Sequence, residues 1–207
     1  MVVIIDYKMG NVGSIANMCK KIGEKVCISA DKDVVENADK LILPGVGAFD
    51  EGMRQLDESG TRLLLEKMVI EKKIPLLGIC LGMQLLTRRS DEGRLPGLGW
   101  IDAETLKFAV DSMDAKLRIP HMGWNRVSFR DGEPLFAGLN NPKFYFVHSY
   151  HVVCSNPLDS IGTAFYGYNF TCAVKKNNIY GTQFHPEKSH KYGITLLRSF
   201  LRLPNNA

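Results

Sequence analysis

Residues 75–86 read PLLGICLGMQLL, a short apolar run followed at once by apolar residues at helical spacing. The run predicts a buried strand, and the pattern after Cys80 predicts a helix. Cys80 has a glycine two residues away on each side, Gly78 and Gly82. A nucleophile on a sharp strand-to-helix turn needs such neighbours, because the flanking chain passes too close for Cβ atoms. The stretch therefore indicates either a nucleophilic thiol, made more acidic by the helix dipole, or a buried cysteine beside two turn glycines.

The composition is that of an ordinary globular chain. The 207 residues are 45% hydrophobic and 23% charged, with a formal net charge of +4. This length is enough for a complete core, so we expect a single domain over residues 1–207. The basic residues are scattered and do not alternate with aromatic ones, which argues against a nucleic-acid partner.

The cysteines and the apolar runs indicate the compartment. The five cysteines include no Cys-x-x-Cys pair, so neither a zinc ribbon nor a thioredoxin-like site is supported. Asp6 interrupts the N-terminal apolar run too early for a signal peptide. The longest apolar stretch, around Cys80, is shorter than the ~20 residues that span a bilayer. We expect a cytoplasmic protein with reduced thiols and no membrane partner.

Strands and helices alternate through residue 86. Apolar runs predict strands at 2–5, 25–29, 41–43 and directly before Cys80. Helical spacing predicts helices at 12–22, 33–38, 50–58 and 62–72, the first ending at Gly23. This alternation predicts an α/β fold with a mostly parallel central sheet covered by helices on both faces. The loops at 6–11, at 44–49 and at Cys80 should then meet at the carboxyl edge of the sheet, where sites form.

Strand patterns dominate the second half, which we assign to the same domain because no linker or repeat intervenes. Predicted strands cover 100–108, 116–119, 144–147, 152–154, 160–165, 170–175 and 179–184. Asn177 and Asn178 predict a hairpin turn between the last two. Residues 192–203 predict a final amphipathic helix. The segment 120–125, with proline and glycine around an aromatic residue, predicts an irregular surface loop.

His185 is the candidate base for the thiol. A thiol nucleophile needs a base within hydrogen-bond reach, and the base needs an orienting group. His185 follows a predicted strand and begins the tripeptide His185-Pro186-Glu187, so Glu187 is close enough to hold the tautomer of the imidazole. The remaining histidines are interpreted as structural or surface groups: His121, His148, His151 and His190.

The loop Pro44-Gly45-Val46-Gly47 is the candidate oxyanion site. It follows a predicted strand, and its two glycines let backbone N–H groups face a ligand closely. A plain glycine turn is the alternative interpretation. A dinucleotide-binding loop would need a third glycine where Asp50 stands, and no Gly-Lys-Ser/Thr phosphate loop occurs. The chain thus has the parts for acyl transfer without a cofactor site, and its pattern indicates no metal cluster.

Three of these motifs, GICLGMQ (78–84), PGVG (44–47) and HPE (185–187), together resemble the class I (triad) glutamine amidotransferases. Further motifs are similar to those of the glutaminase subunits of imidazole glycerol phosphate synthase: Asp6-Tyr7 with Gly10-Asn11, PHMGWN (120–125), FVHSY (146–150) and HPEKS (185–189). The resemblance covers essentially the whole chain. It implies a flavodoxin-like fold and a place in histidine biosynthesis.

The resemblance implies a role for each matching residue. Cys80 would attack the carboxamide of glutamine and form a γ-glutamyl thioester. His185, oriented by Glu187, would pass a proton to the departing ammonia and then activate water. The residues implied to stabilise the oxyanion or bind glutamine are Gly45, Val46, Gly47, Leu81 and Gln84. The reaction needs no cofactor.

The resemblance also implies a partner, a (β/α)₈ cyclase subunit that receives the ammonia and makes imidazole glycerol phosphate and AICAR. The residues that fall at the family's interface and ammonia gate are Met122, Trp124, Asn125, Tyr145 and Lys188. In such complexes a ligand on the cyclase activates the glutaminase. A backbone flip in the 44–47 loop is a physical candidate for this switch, because glycines make peptide rotation cheap.

Departures from the family's pattern keep a different ammonia acceptor open. Lys8 stands where glycine is usual, and Trp100 stands where an aliphatic residue is usual. Residues 165–170 and 185–193 are similar to paralogues encoded with surface-polysaccharide genes, which supply ammonia for amidination of a sugar.

Two further hypotheses are a stand-alone cysteine hydrolase and a non-catalytic scaffold that only binds the cyclase. Gln84 and the 120–125 segment argue against the hydrolase. The intact Cys80, His185 and Glu187 argue against the scaffold.

Overall fold

The first half of the chain alternates strands and helices, as predicted. The structure, a computed structural model, describes residues 1–109 and 117–204. The strands of this half are β1 (Val2–Ile5), β2 (Val26–Ser29), β3 (Lys40–Gly45) and β4 (Leu76–Cys80). The helices are α1 (Val12–Ile22), α2 (Lys32–Glu36), α3 (Phe49–Glu58), α4 (Thr61–Leu65) and α5 (Leu81–Leu85).

The second half is rich in strands and ends in a helix, α6 (His190–Leu201). Its strands are β5 (Ala103–Lys107), β6 (His121–Arg126), β7 (Ser128–Phe129), β8 (Lys143–His148), β9 (Tyr150–Cys154), β10 (Ser160–Tyr166), β11 (Tyr168–Lys176) and β12 (Ile179–Thr182). Short 3₁₀ turns occupy Pro134–Phe136, Pro157–Asp159 and Pro186–Lys188. Across 1–109 and 117–204, no helix has the length and apolar character needed to cross a membrane.

One large sheet organises the molecule. Its parallel strands lie in the order β2-β1-β3-β4-β12, and the antiparallel strands β11, β10 and β7 continue from β12. β12 joins the two halves, because it pairs in parallel with β4 and antiparallel with β11. The prediction of a mostly parallel central sheet is confirmed. A single domain over residues 1–207 stays a prediction.

Two hydrophobic layers cover the sheet, one on each face. Val2 and Ile4 of β1 belong to the layer that contains α1 and α6, whereas Val3 and Ile5 belong to the layer that contains α2, α3, α4 and α5. Successive side chains of a strand point to opposite faces, so a central strand of the parallel sheet is apolar throughout. The prediction of helices on both faces is confirmed.

The carboxyl edge of the sheet gathers the three predicted loops. The Tyr7 hydroxyl donates to the Pro44 carbonyl at 2.6 Å, and Gly45 is the register partner of Cys80 across β3 and β4. Lys8 has a φ of 66°. This left-handed conformation favours glycine, which explains why a small residue is usual at this position.

Three segments differ from their predictions. The segment predicted as an irregular loop forms β6, which pairs with β8 in a separate two-stranded ribbon. Residues 117–119 of the strand predicted at 116–119 are not in a strand, and residue 116 lies outside the described residues. The helix predicted at 62–72 begins at Thr61 and passes into a π-helix, Glu66–Glu71. Its wider turn leaves no mark in an apolar spacing pattern.

Other predicted boundaries shift by a few residues. β5 begins at Ala103 instead of residue 100, and β12 ends at Thr182 instead of residue 184. The final helix spans His190–Leu201 instead of 192–203. These shifts leave the order of the elements unchanged, and the earlier end of β12 puts His185 beyond the sheet.

Candidate active site

Cys80 occupies the sharp turn between β4 and α5. Its backbone has φ 55° and ψ −110°, a strained conformation of the kind that persists at functional sites. A Cβ atom on Gly82 would lie 1.9 Å from the Leu43 carbonyl oxygen, and one on Gly78 would lie 2.8 Å from the Gly82 carbonyl. The close passage of the backbone therefore requires both glycines, as the sequence predicted.

His185 is held in place by backbone and side-chain contacts just beyond β12. Its N–H donates to the Tyr145 carbonyl at 2.9 Å, and its carbonyl accepts from the Ser189 hydroxyl at 2.6 Å. Its Nδ1 lies 2.7 Å from Glu187 Oε1, and both side chains are 2% exposed. A proton on Nδ1 is held toward the carboxylate, which leaves Nε2 for the site.

The surroundings of His185 favour the charged imidazole. Burial opposes protonation, but the Cys80 sulfur and the Glu187 carboxylate outweigh it and raise the pKa of His185 to about 10. Among the described residues, His185 Nε2 and Glu187 Oε2 have no hydrogen-bond partner of regular geometry. An unpaired buried nitrogen is unfavourable, and a substrate atom or water would satisfy Nε2.

A cavity of about 300 Å³ opens in front of Cys80 and His185. Four of the residues predicted to stabilise the oxyanion or bind glutamine line it: Val46, Gly47, Leu81 and Gln84. The fifth, Gly45, is the last residue of β3 and is not among the described residues that line the cavity. There a Cβ atom would come within 2.7 Å of both Leu81 Cβ and the Gly82 nitrogen, so Gly45 supports the wall from behind.

Gln84 is buried and forms part of a chain of amides that ends at the thiol. Its Nε2 donates to Gln183 Oε1 at 3.0 Å and to the Tyr150 carbonyl at 3.3 Å. Gln183 Nε2 in turn donates to Cys80 Sγ at 3.7 Å. These bonds fix the orientation of both amides beside the candidate nucleophile.

Several residues at or near the cavity were assigned no site role from the sequence, among them Glu92, Tyr150 and Gln183. Glu92 and Tyr150 line the cavity. Glu92 Oε2 accepts from the Phe49 N–H at 3.0 Å, and burial raises the pKa of this carboxyl. Glu92 lies in a charged segment that resembles any surface loop, so nothing local distinguishes it. Gln183 offered a signal, because it lies two residues before His185 at the end of an apolar strand.

The predicted interface residues lie on the β6–β8 ribbon and the turn that follows His185. Met122, Trp124 and Asn125 belong to β6, and Tyr145 of β8 is the register partner of Trp124. Lys188 follows in the 3₁₀ turn, with its Nζ 5.6 Å from the centre of the Tyr145 ring. The side chains of Met122 and Trp124 are 62% and 47% exposed.

The ribbon borders the cavity directly. Val147 and His148 of β8 line the cavity wall, and Tyr145 forms an antiparallel bridge with His185. Asn125 differs from Met122 and Trp124, because its Nδ2 donates to the Phe165 carbonyl at 2.8 Å and lies 3.3 Å from His121 Nε2. The structure therefore brings the interface candidates and the candidate triad to neighbouring positions.

Comparisons with known proteins agree with this geometry. The family model "Glutamine amidotransferase class-I" matches residues 3–203. A relative from Methanococcus maripaludis, "Imidazole glycerol phosphate synthase subunit HisH 2", is 54% identical over 203 residues, which cover 98% of this chain and 99% of the relative. A protein of the same name from Pseudomonas aeruginosa is 48% identical, with 98% and 100% covered.

Solved structures agree on the fold. A crystal structure of a glutamine amidotransferase has a TM-score of 0.75 at 21% identity and covers 97% of each chain. The structure of PurLQS from Thermotoga maritima has a TM-score of 0.73 at 16% identity, with 97% of this chain and 96% of that chain covered. The chain therefore belongs to the class-I glutamine amidotransferase family and, within it, groups with the HisH subunits of imidazole glycerol phosphate synthase.

Proposed function

We propose that this chain is the glutaminase subunit of an imidazole glycerol phosphate synthase and hydrolyses glutamine to glutamate and ammonia through a thioester on Cys80. The chain is an enzyme of the class-I glutamine amidotransferase family. One observation carries the proposed chemistry: a cysteine on a strained turn shares a cavity with a histidine whose other nitrogen is held by a buried glutamate.

The reaction begins with glutamine in the cavity and the thiol proton on His185 Nε2. The Cys80 sulfur attacks the side-chain carbonyl carbon, and backbone N–H groups of Val46, Gly47 and Leu81 stabilise the oxyanion. His185 gives its proton to the leaving nitrogen, the C–N bond breaks, and ammonia departs from the thioester. Water then attacks the thioester while His185 accepts its proton. The C–S bond breaks, and glutamate leaves.

The cavity wall offers groups suited to a free amino acid. Glu92 lines the cavity and carries a carboxylate, which would pair with the α-ammonium group of glutamine. Gln84 supplies an amide whose orientation is held by Gln183 and Tyr150. These groups favour a free amino acid as the substrate. A glutamine residue inside a peptide has no free α-ammonium group to pair with Glu92.

The ribbon supports the proposed partner, a (β/α)₈ cyclase subunit. Its exposed face carries the apolar side chains of Met122 and Trp124, and Phe165 nearby is 63% exposed. Arg126 and Lys143 are register partners on the same ribbon. Two like charges directly opposite each other are unfavourable alone, so this face suits a partner surface with apolar and acidic groups.

The pathway and location belong to the same proposal. The names of the relatives describe a subunit of imidazole glycerol phosphate synthase, which supports histidine biosynthesis as the destination of the ammonia. None of these names points to a surface sugar as acceptor. A cytoplasmic location follows from this biosynthetic role and stays part of the proposal.

The test is the Cys80→Ala variant in the reconstituted complex with a cyclase subunit. We expect it to abolish glutamine-dependent product formation and to leave the activity with added ammonium salts unchanged. Cys27→Ala, at a half-buried cysteine of β2 away from the cavity, should keep both activities. Glutamine hydrolysis by the Cys80→Ala complex would overturn the mechanism.

Two further measurements distinguish a synthase subunit from a scaffold, a sugar-modifying paralogue or a stand-alone hydrolase. A glutamine-like chloroketone should label Cys80 alone, whereas a non-catalytic scaffold would not react selectively. The chain should also restore growth without histidine to a bacterium that lacks its own glutaminase subunit. A chain that hydrolyses glutamine but fails to restore growth has a different acceptor, and rapid cleavage of peptides by the chain alone would indicate a stand-alone hydrolase.

A further inference from the structure

Two buried histidines that the proposed reaction does not use connect the ribbon to the cavity. His121 and His148 are register partners on β6 and β8, and only 3% and 6% of their surfaces are exposed. His121 Nδ1 lies 2.9 Å from His148 Nε2, and His148 Nδ1 lies 2.8 Å from the Tyr150 carbonyl oxygen. At the other end, His121 Nε2 lies 3.3 Å from Asn125 Nδ2.

The groups at the two ends of this series of hydrogen bonds allow only one direction of donation along it. A carbonyl oxygen can only accept, so His148 carries its proton on Nδ1. Burial lowers the pKa of His148 to about 3 and that of His121 to about 4, so both rings are neutral near pH 7. His148 Nε2 then accepts from His121 Nδ1, and His121 Nε2 accepts from the Asn125 amide. The second Asn125 proton goes to the Phe165 carbonyl.

At the cavity, this series of hydrogen bonds ends at Tyr150, which also holds Gln84. The Tyr150 carbonyl accepts from both His148 Nδ1 and Gln84 Nε2. Tyr150, His148 and Gln84 all line the cavity. A shift of the His148 ring therefore moves the acceptor of a buried amide that stands at the proposed glutamine site.

We propose that His121 and His148 are positioning residues. They hold the Tyr150 carbonyl against Gln84 and so connect this part of the cavity wall to Asn125 on the ribbon. The inference rests on the proposed function for its substrate. A partner that moves Asn125 or the Phe165 carbonyl would then shift the amide that donates to His121. Through the two imidazole rings, that shift would move the cavity wall that binds glutamine.

Two substitutions at one position test the inference. His148→Asn puts an amide N–H close to the position of Nδ1 and keeps the donor to Tyr150, whereas His148→Gln reaches the Nε2 position and loses that donor. In the complex with the cyclase subunit, we expect His148→Gln to raise the KM for glutamine about tenfold with kcat within about twofold. His148→Asn should stay within about threefold of wild type. The same ranking should hold for His121→Asn and His121→Gln.

His151 provides the matched control. It is as buried as His148, at 6% exposure, and packs against the same Phe108 ring. Its Nε2 pairs with the Tyr168 hydroxyl at 2.8 Å, and it is not among the described residues that line the cavity. His151→Gln should keep the wild-type KM. An equal rise in KM for His151→Gln, or a wild-type KM for both His148→Gln and His121→Gln, would overturn the inference.

A second readout does not depend on catalysis. The side-chain amide of Gln84 gives NMR signals that report its hydrogen bonds in the full chain. We expect these signals to shift in His148→Gln and to stay in place in His148→Asn. If they stay in place in both, the positioning role is wrong even when glutamine is hydrolysed. If they respond as expected but wild type shows no glutaminase activity in the complex, only the proposed function fails.

Discussion

The carboxylate of Glu187 reaches the candidate site through His185. Its Oε1 contacts His185 Nδ1 at 2.7 Å, and it is not among the described residues that line the cavity. The charge of Glu187 helps to raise the pKa of His185, although burial acts in the opposite direction. In the proposed mechanism, Glu187 therefore orients the ring and stabilises its charged form without touching the substrate.

Replacing this charge should slow the chemistry more than it weakens binding. For Glu187→Gln we expect a kcat lower by about 100-fold or more, with the KM for glutamine within about threefold. The pKa of His185 should fall, so the pH profile of kcat/KM should shift to lower pH. Steady-state kinetics of the complex across pH measure both effects.

Glu133 offers a control for this substitution, because it is an equally buried carboxylate paired with Arg130 and Lys175 instead of a histidine. Glu133→Gln should keep kcat within about twofold of wild type. A Glu187→Gln variant with wild-type kcat would show that the glutamate has no part in the reaction.

At the scale of elements, the close packing of α5 on β3 and β4 holds Cys80 in its strained conformation. Gly82 lies at the start of α5, against the Leu43 carbonyl of β3, and Gly78 of β4 packs against the backbone of Gly82. Because both contacts involve backbone atoms, a methyl group cannot be accommodated by a side-chain rotation. The contact of α5 with β3 and β4 therefore also fixes the position of the thiol.

Alanine at Gly82 should separate these elements, whereas alanine at Gly13 should not. For Gly82→Ala we expect a free energy of unfolding lower by at least about 2 kcal/mol, since the new Cβ would overlap the Leu43 oxygen. Gly13 lies in the first turn of α1 with open space around it. Gly13→Ala should raise stability by about 0.5–1 kcal/mol. Urea unfolding measures both, and a Gly82→Ala variant as stable as wild type would contradict the close packing.

At the scale of the whole molecule, three buried histidines link stability to pH. Burial lowers the pKa of His148 to about 3, that of His121 to about 4, and that of His151 below its ordinary value. In the unfolded chain each titrates near its ordinary value of about 6.5. Below that pH the unfolded state binds more protons than the native state, so acid favours unfolding.

The stability that these three histidines contribute should therefore be fully present above about pH 6.5 and fall as the pH drops toward 4. Each of these histidines contributes a slope of up to about 1.4 kcal/mol per pH unit. The double variant His121→Asn, His148→Asn removes two of the three titrating groups and should show a clearly shallower slope between pH 6.5 and 4.5. Urea unfolding at several pH values tests this, with the difference at pH 8 giving the effect of the substitutions themselves. Equal slopes would contradict it.

The parts of the fold that were predicted are those encoded by local patterns. Apolar runs and helical spacing mark β1–β4 and α1, and the asparagine pair marks the turn between β11 and β12. β6 was not predicted, because proline and glycine obscured its alternation. In the fold its outward side chains are Met122, Trp124 and Arg126, and its strand geometry depends on pairing with β8 some twenty residues later.

The sequence by itself determined the turn at Cys80 and the candidates for its base and orienting acid, because glycine spacing and a His-Pro-Glu tripeptide are local features. Only the tertiary structure decided which groups surround that thiol. Gln183 meets Gln84 across 99 residues of sequence, and His121 meets His148 across 27. Such contacts depend on strand order and register, which bring distant residues together and leave no local pattern in the chain.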